Sequence, residues 1–206
     1  MEEKSVKNIV FDFGQVIVHF EPLYIVKKFV SDPDDALLLE GVIFDRLYFD
    51  ALDAGTLGDE EVICAFKKRL PERLRRVSED IYYSWIYNIP EIEGMSELIA
   101  YVKEKYGVSV FLLSNISSYF ADHSDEISVL KLFDKCIFSS KCGMVKPNRD
   151  IFEYLCNECN IIPEETLLVD DRAENIEGAQ KIGIVGYLFD GSVSSLRLYL
   201  DNILGT

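Results

Sequence analysis

Five short apolar runs, each rich in branched side chains, recur along this chain. They cover residues 5–11, 108–114, 135–140, 166–170 and 184–189. Runs of this length without strict alternation are typical of strands that are buried on both faces of a parallel sheet. Stretches with helical spacing separate the last four runs, as crossover connections between parallel strands require. The pattern therefore predicts an α/β protein built on a parallel sheet.

Helices are expected where apolar residues recur three and four positions apart. Three such stretches cover residues 95–107, 173–182 and 192–204, and Gly107 supplies a stop signal for the first. These helices connect or follow the predicted strands, so they should cover the two faces of the sheet.

A long interval between the first two predicted strands contains helix-start signals and no convincing strand. One crossover helix needs only about a dozen residues, so this interval holds several helices. The sequence therefore predicts a core domain, residues 1–19 and 89–206, into which a helical cap domain, residues 20–88, is inserted. The expected N-terminal caps of its helices are Ser31 or Asp32, Asp59 and Ser78.

Composition restricts the class of protein. The chain has 206 residues, of which 49% are hydrophobic and 12% aromatic, as expected for a folded globular protein. A formal net charge of -15 argues against binding to a nucleic-acid backbone. Since no segment has the pattern of a signal peptide or a membrane span, we expect a cytoplasmic protein. The oligomeric state stays open.

Five cysteines lie within otherwise regular segments, which argues against a disulfide framework. Cys156 and Cys159 have the spacing of a redox or zinc pair. They lie on a helical pattern, however, with no second pair and no histidine nearby. We interpret them as two partly buried thiols of a helix.

Polar residues that could act in catalysis or ligand binding follow four of the predicted strands. In open parallel sheets, ligands bind beyond the carboxyl ends of the strands, so these residues should converge on one edge. Each alone is commonly a turn or cap residue, and only their joint occurrence is informative. In chain order they are Asp12, Ser114 with Asn115, Lys146, and Asp170 with Asp171 and Asn175.

This set of groups suits phosphoryl transfer through a covalent aspartyl-phosphate. Asp12 would be the nucleophile, and Lys146 would neutralise phosphate charge. Asp12 and Asp171 would hold Mg²⁺, with Asp170 close by, because magnesium prefers oxygen ligands. Hydrogen bonds from the Ser114 hydroxyl and the Asn115 backbone N–H would bind the phosphate. The predicted partner is a small phosphorylated metabolite.

The four motifs, in this order, resemble those of the haloacid dehalogenase-like hydrolase superfamily. The resemblance implies a Rossmann-like parallel sheet with an inserted helical cap, and the activity of a magnesium-dependent phosphatase. A closer resemblance is to bacterial phosphatases of α-D-glucose 1-phosphate. It rests on the opening from Asp12 to Ile17, the "LSN" ending at Asn115, "GMVKP" around Lys146, "DD-x-x-x-NIEGA" from Asp170, and "DAGTLGDEE" from Asp53. A sugar phosphate is therefore the expected substrate.

Gly14 departs from the family pattern. Most phosphatases of this superfamily have an aspartate there, which protonates the leaving group, activates the water and ligates magnesium through its carbonyl. Gly14 keeps a carbonyl for the metal but loses the acid/base group, which is typically worth about 10²–10⁴-fold in rate. Substitutes for that group would be His19, as a possible auxiliary residue, or Glu21, Asp50 and Asp53.

Three alternatives remain beside the phosphatase. A 2-haloacid dehalogenase also uses an aspartate nucleophile but needs no metal, and the pair Asp170 and Asp171 favours magnesium. A phosphomutase would need the acid that Gly14 replaces. A non-catalytic homologue that binds a phosphorylated ligand would tolerate Gly14, although the other site residues are all present.

Overall fold

A computed structural model describes residues 5–205 of the chain. One sheet of five parallel strands lies in the order β3-β2-β1-β4-β5. The chain therefore starts in the centre of the sheet, builds one side and then returns to build the other. Such a reversal opens a crevice at the carboxyl ends of the central strands, β1 and β4. The predicted α/β fold with a parallel sheet is confirmed. The strands are β1 (Asn8–Phe11), β2 (Ser109–Ser114), β3 (Lys135–Phe138), β4 (Thr166–Asp170) and β5 (Val185–Leu188).

Four of the predicted strands are longer than the observed ones, by three residues for β1, two for β3 and β5, and one for β2. Residues 5–7 precede β1, and Lys7 alone of these described residues makes backbone hydrogen bonds to neighbouring segments: its N–H donates to the Glu165 carbonyl, and its carbonyl accepts the Ser109 N–H. At the end of β3 the chain turns into a short helix at Ser139 and leaves the sheet. The Ser139 hydroxyl accepts the Ile116 N–H, a side-chain contact that no apolar pattern reveals.

The interval between β1 and β2 contains several helices, as predicted, and they extend to residue 87. Its helices pack on one another, with α2 in contact with α1, α4 and α5. They are α1 (Pro22–Val26), α2 (Pro33–Ile43), α3 (Arg46–Asp53), α4 (Asp59–Arg69) and α5 (Glu72–Ser84), followed by a 3₁₀ turn at Trp85–Tyr87.

The predicted N-terminal caps in this interval are correct at one position and wrong at two. The Asp32 carboxylate caps α2 by accepting the backbone N–H groups of residues 34 and 35. Helix α4 begins at Asp59 after Gly58, and the Asp59 carboxylate instead accepts the Tyr82 hydroxyl at 2.6 Å. Ser78 is buried in the middle of α5, where its hydroxyl bonds to a carbonyl one turn earlier. A polar residue on a buried helix face thus has the same sequence signal as a cap.

Six helices follow the interval within the described part of the chain. Gly107 ends the first of them in the left-handed conformation, as predicted. Short 3₁₀ turns at Ser124–Glu126, Ser128–Leu132 and Pro163–Glu165 complete the connections. The helices are α6 (Met95–Tyr106), α7 (Ser118–Asp122), α8 (Ser139–Cys142), α9 (Arg149–Cys159), α10 (Ala173–Gln180) and α11 (Val193–Leu204).

The two faces of the sheet bury different helices. Val10 of β1 points into a cluster with α9 and α10, whereas its neighbours Ile9 and Phe11 point into a cluster with α6 and α11. That second cluster continues into the interval helices, where Trp85 stacks on Phe120 at 5.8 Å between ring centroids. The interval helices are therefore packed on the sheet through a continuous apolar core. The exact boundaries of a cap domain stay a prediction.

Helices long and apolar enough to traverse a lipid bilayer are absent from residues 5–205.

Candidate active site

A cleft of about 440 Å³ opens at the carboxyl ends of β1, β2 and β4. Its floor comes from the loops that follow these strands, and its roof comes from α3 and the aromatic residues of the interval. Cavities of this size hold small metabolites. The lining residues are Asp12, Phe13, Gly14, Gln15, Phe20, Arg46, Phe49, Asp50, Asp53, Trp85, Ser114, Asn115, Ile116, Val145, Lys146, Pro147, Asp171, Arg172 and Asn175.

The residues collected from the strand ends lie together in this cleft, with Asp170 buried directly beneath. His19 does not: its side chain is exposed and lies outside the cleft lining. The strand topology explains the convergence, because β1 lies between β2 and β4 and in register with both.

Lys146 lies at the centre of the site. Its ammonium group donates to the Asp12 carboxylate at 2.7 Å and to the Asp170 carboxylate at 2.7 Å, and all three residues are buried. Burial by itself would lower the pKa of Lys146, but attraction to the two carboxylates outweighs it and raises the pKa. The lysine therefore stays charged at neutral pH.

Asp12 ends β1 with its carboxylate facing the cleft. Burial raises the pKa of this carboxyl group; Lys146 opposes the shift and Asp170 adds to it. Since it lines the cleft, the carboxylate can reach a phosphoryl group there as a nucleophile.

Asp170 differs from the other carboxylates because its oxygens are already occupied. One accepts the Arg172 N–H at 2.9 Å, the other accepts Lys146, and the Asn175 side chain donates to both, at 2.9 and 3.0 Å. Asp170 therefore fixes the lysine in place, and the other two carboxylates are better placed to bind a ligand.

The donor set fits a magnesium ion. Carboxylate oxygens of Asp12, Asp170 and Asp171 lie within 4.8 Å of one another, and oxygen ligands are those that magnesium prefers. Three carboxylates against one lysine leave two uncompensated negative charges. Burial raises the pKa of the Asp171 carboxyl group, and repulsion from Asp170 raises it further, while Lys146 and Arg172 oppose the shift. The buried Asn175 Oδ1 has no protein partner in the described residues, so a water held by the ion could donate to it.

Asn115 acts on the site through its side chain. Its amide nitrogen donates to the Lys146 carbonyl at 2.9 Å, and its amide oxygen accepts the Lys146 N–H at 2.8 Å. This pair of bonds fixes the backbone that carries the lysine. The neighbouring Ser114 hydroxyl makes no hydrogen bond within residues 5–205 and lines the cleft, so it is free to bind a substrate oxygen.

Gly14 lines the cleft beside Asp12. A Cβ added at this residue would meet only the Phe20 Cβ, at 3.8 Å, which is an ordinary contact. Neither backbone conformation nor crowding therefore requires glycine here. The glycine leaves open space next to the nucleophile.

Ser139 is a site residue that the sequence did not reveal. Its hydroxyl donates to the Asp53 carbonyl at 2.6 Å and accepts the Ile116 N–H at 2.9 Å, so it joins α3 to the loop after β2. The link places Asp53 in the cleft. Burial raises the pKa of the Asp53 carboxyl group to about 7, with additional repulsion from Asp50 and Asp12.

A model of the haloacid dehalogenase-like hydrolase family matches residues 6–183. The chain belongs to the haloacid dehalogenase-like hydrolase family. The match spans the strands that carry the site and the helical interval, and it confirms the resemblance inferred from the four motifs.

Several phosphatases are similar to this family member. The D-ribitol-5-phosphate phosphatase of Bacteroides thetaiotaomicron is 29% identical over 197 residues, which cover 86% of this chain and 89% of that protein. The phosphorylated carbohydrates phosphatase of Thermotoga maritima is 22% identical over 190 residues, which cover 85% and 81%. The predicted class, a phosphoric monoester hydrolase of the haloacid dehalogenase-like family, is thereby confirmed.

A solved structure shows the same fold. A haloacid dehalogenase family enzyme of Bacteroides thetaiotaomicron, crystallised as an alanine mutant with magnesium and inorganic phosphate, matches with a TM-score of 0.70 at 20% identity. The match covers 93% of this chain and 98% of that chain. The finer resemblance of our chain to glucose 1-phosphate phosphatases stays a prediction.

Proposed function

We propose that this protein is a magnesium-dependent phosphatase that hydrolyses a small sugar or sugar-alcohol phosphate in the cytoplasm, through an aspartyl-phosphate on Asp12. The observation that carries the proposal is the buried ion pair of Asp12 and Lys146 at the floor of an open cleft. A lysine that is charged and buried beside a strand-end carboxylate suits the attack of one anion on another.

In the first step, an Asp12 carboxylate oxygen attacks phosphorus and the bond from phosphorus to the leaving oxygen breaks. The Lys146 ammonium group lies beside the attacking carboxylate and offsets the charge of the incoming phosphate. The Ser114 hydroxyl and the Asn115 backbone N–H donate to phosphoryl oxygens. In the second step, a water molecule attacks phosphorus, releases phosphate and restores Asp12.

Asp12, Asp171 and the Gly14 carbonyl would hold magnesium, which supplies charge neutralisation on the phosphoryl oxygens. Asp170 would stay bound to Lys146 and Asn175, and so position the site without needing to be a direct ligand. A dehalogenase that uses no metal does not need several carboxylates at the site. Their presence therefore favours the phosphatase over that alternative.

The substrate class rests on the cleft and on the relatives. The roof combines aromatic side chains, Phe20, Phe49 and Trp85, with the charged groups of α3. Such a wall suits a small carbon skeleton with hydroxyl groups. The relatives named for ribitol 5-phosphate and for phosphorylated carbohydrates support the same class. In this proposal residues 20–88 form the cap that selects the substrate, and residues 1–19 with 89–206 form the core that carries the chemistry.

A panel of phosphorylated sugars and sugar alcohols, assayed with magnesium and with chelator, tests the proposal. We expect magnesium-dependent phosphate release from at least one compound. Asp12→Asn should abolish it while the protein stays folded, because the amide is nearly isosteric but is not a nucleophile. Asp171→Asn should raise the magnesium concentration needed for half-maximal rate. Tight binding of one compound by the wild type, without hydrolysis of any, would instead indicate a non-catalytic binding protein.

A further inference from the structure

The proposed hydrolysis needs a general acid and base. Residue 14, where most phosphatases of the family have an aspartate for this role, is a glycine. The leaving alkoxide must gain a proton, and the attacking water must lose one. Gly14 has no side chain to do either, and His19 is exposed and lies outside the cleft lining. The proton must therefore come from another wall of the cleft.

Two carboxylates on α3 are candidates for this role. Asp50 is two-thirds exposed and lies 3.7 Å from the guanidinium group of Arg46. Asp53 is half-buried, and its carboxylate forms no hydrogen bond or ion pair with any residue in the described chain. Both line the cleft. A carboxyl group that lines the cleft with no protein partner is the one available to a ligand.

The backbone around Asp53 is fixed to the sheet by two contacts. The Ser139 hydroxyl donates to the Asp53 carbonyl at 2.6 Å. Gly55, in the left-handed conformation, lies against Ser140 so closely that an added Cβ would be 2.5 Å from the Ser140 carbonyl oxygen. The end of α3 is therefore held against the floor of the site, and an acid at residue 53 has a defined position.

The environment of Asp53 also suits proton transfer. Burial is the main reason that its pKa rises to about 7, and Asp50 and Asp12 raise it further while Lys146 and Arg46 oppose the shift. A group that titrates near neutral pH can both give and take a proton under the same conditions.

We propose that Asp53 is the general acid and base of this enzyme, supplied by the helical insert in place of the residue that Gly14 lacks. This inference rests on the proposed phosphatase activity. In the first step Asp12 forms a bond to phosphorus, the bond to the leaving oxygen breaks, and the Asp53 carboxylic acid gives its proton to that oxygen. In the second step the Asp53 carboxylate takes a proton from water as the water oxygen attacks phosphorus. The bond from phosphorus to Asp12 then breaks, and the Asp53 carboxylic acid is restored.

The test compares Asp53→Asn with Asp50→Asn, a matched control on the same helix, in the presence of magnesium. Two substrates are used: p-nitrophenyl phosphate, whose leaving group needs no proton, and D-ribitol 5-phosphate, whose leaving group does. For Asp53→Asn we expect a fast burst of up to one nitrophenol per enzyme, and then turnover slowed about 10²-fold or more. The phosphorylated enzyme should accumulate and be visible as added mass of the intact protein. On D-ribitol 5-phosphate, Asp53→Asn should show no burst of alcohol release, because the leaving group then lacks its proton donor. Asp50→Asn, which also changes the cleft lining, can alter KM for either substrate but should not accumulate phosphorylated enzyme.

Other results would overturn the inference. One such result is wild-type turnover of Asp53→Asn on both substrates. Another is a loss by the same factor on both without accumulation of phosphorylated enzyme, as a structural defect would give. A burst in Asp50→Asn equal to that in Asp53→Asn would also contradict it. Failure of the underlying phosphatase proposal would look different. In that case the wild type itself would release no phosphate from either substrate, or Asp12→Asn would retain its turnover.

Discussion

Asp53→Asn should stabilise the folded protein at alkaline pH. Burial raises the pKa of Asp53 from 3.8 to about 7, so the folded state holds a proton that the unfolded chain has already released. The free energy that this proton contributes is fully present below the unfolded pKa. It is lost as the pH rises through the folded pKa, because the ionised carboxylate must then stay in a half-buried site. Asparagine removes the ionisation and its penalty.

The magnitude follows from the size of the shift. A difference of about 3 pKa units corresponds to about 4 kcal/mol as a ceiling. Since the side chain is half-buried and solvent screens part of the interaction, about 2 kcal/mol is the better expectation. Roughly two-thirds of this should develop between about pH 5 and about pH 8.5, which gives a change of about 1.3 kcal/mol.

The assay is urea unfolding of wild type and variant at these two pH values, with chelator present. The difference in free energy of unfolding between Asp53→Asn and the wild type should increase by that amount from the lower to the higher pH, in favour of the variant. Asp50→Asn, whose carboxylate is two-thirds exposed, should show a smaller trend, because it removes only the repulsion that Asp50 adds to the Asp53 shift. An equal difference between wild type and Asp53→Asn at both pH values would refute the argument from burial.

Two further substitutions test the floor of the site. Gly14→Asp should fold, because its Cβ meets only Phe20 at 3.8 Å, but it should slow hydrolysis of glucose 1-phosphate, since the new carboxylate adds negative charge beside Asp12. Rates on glucose 1-phosphate and glucose 6-phosphate measure this, and a uniform gain on both would show that the glycine is a defect. Asn115→Ala should lower kcat by about 10²-fold while the protein stays folded, because it removes both hydrogen bonds that position the Lys146 backbone. Steady-state kinetics check it, and an unchanged kcat would contradict the positioning role.

Much of the fold was predictable because strand burial leaves a strong local signal. The runs around Val10, Phe111 and Leu168 are apolar on both faces, and the structure covers both faces with helices. The convergence of the strand-end residues was predictable for the same reason. Parallel strands place their carboxyl ends on one edge, so Asp12, Ser114 and Asp171 had to meet there.

The parts that sequence did not give depend on contacts between distant segments. Ser139 was assigned to a strand, whereas its hydroxyl joins the loop after β2 to the end of α3. Serine is a residue type that often caps helices, but Ser78 lies inside α5. Packing of its neighbours extends the helix past this residue. Asn115 was expected to act through its backbone, and the structure adds a side-chain role that depends on a residue 31 positions away.

The origin of the site residues in two separate stretches of chain bears on how this protein could acquire new substrates. The groups around Lys146 all come from the ends of the sheet strands and the loop before α9, and a different helical insert could be spliced between β1 and β2 without touching them. Asp53 is the exception, since it arrives with the insert. Exchange of the insert would therefore change the specificity and remove the proposed proton-transfer group in one event. Any replacement would have to bring an acid to the same carbonyl contact with Ser139. An acid at residue 14 would free the insert to be exchanged only if Asp53 were lost at the same time, since the two carboxylates together would add negative charge beside Asp12.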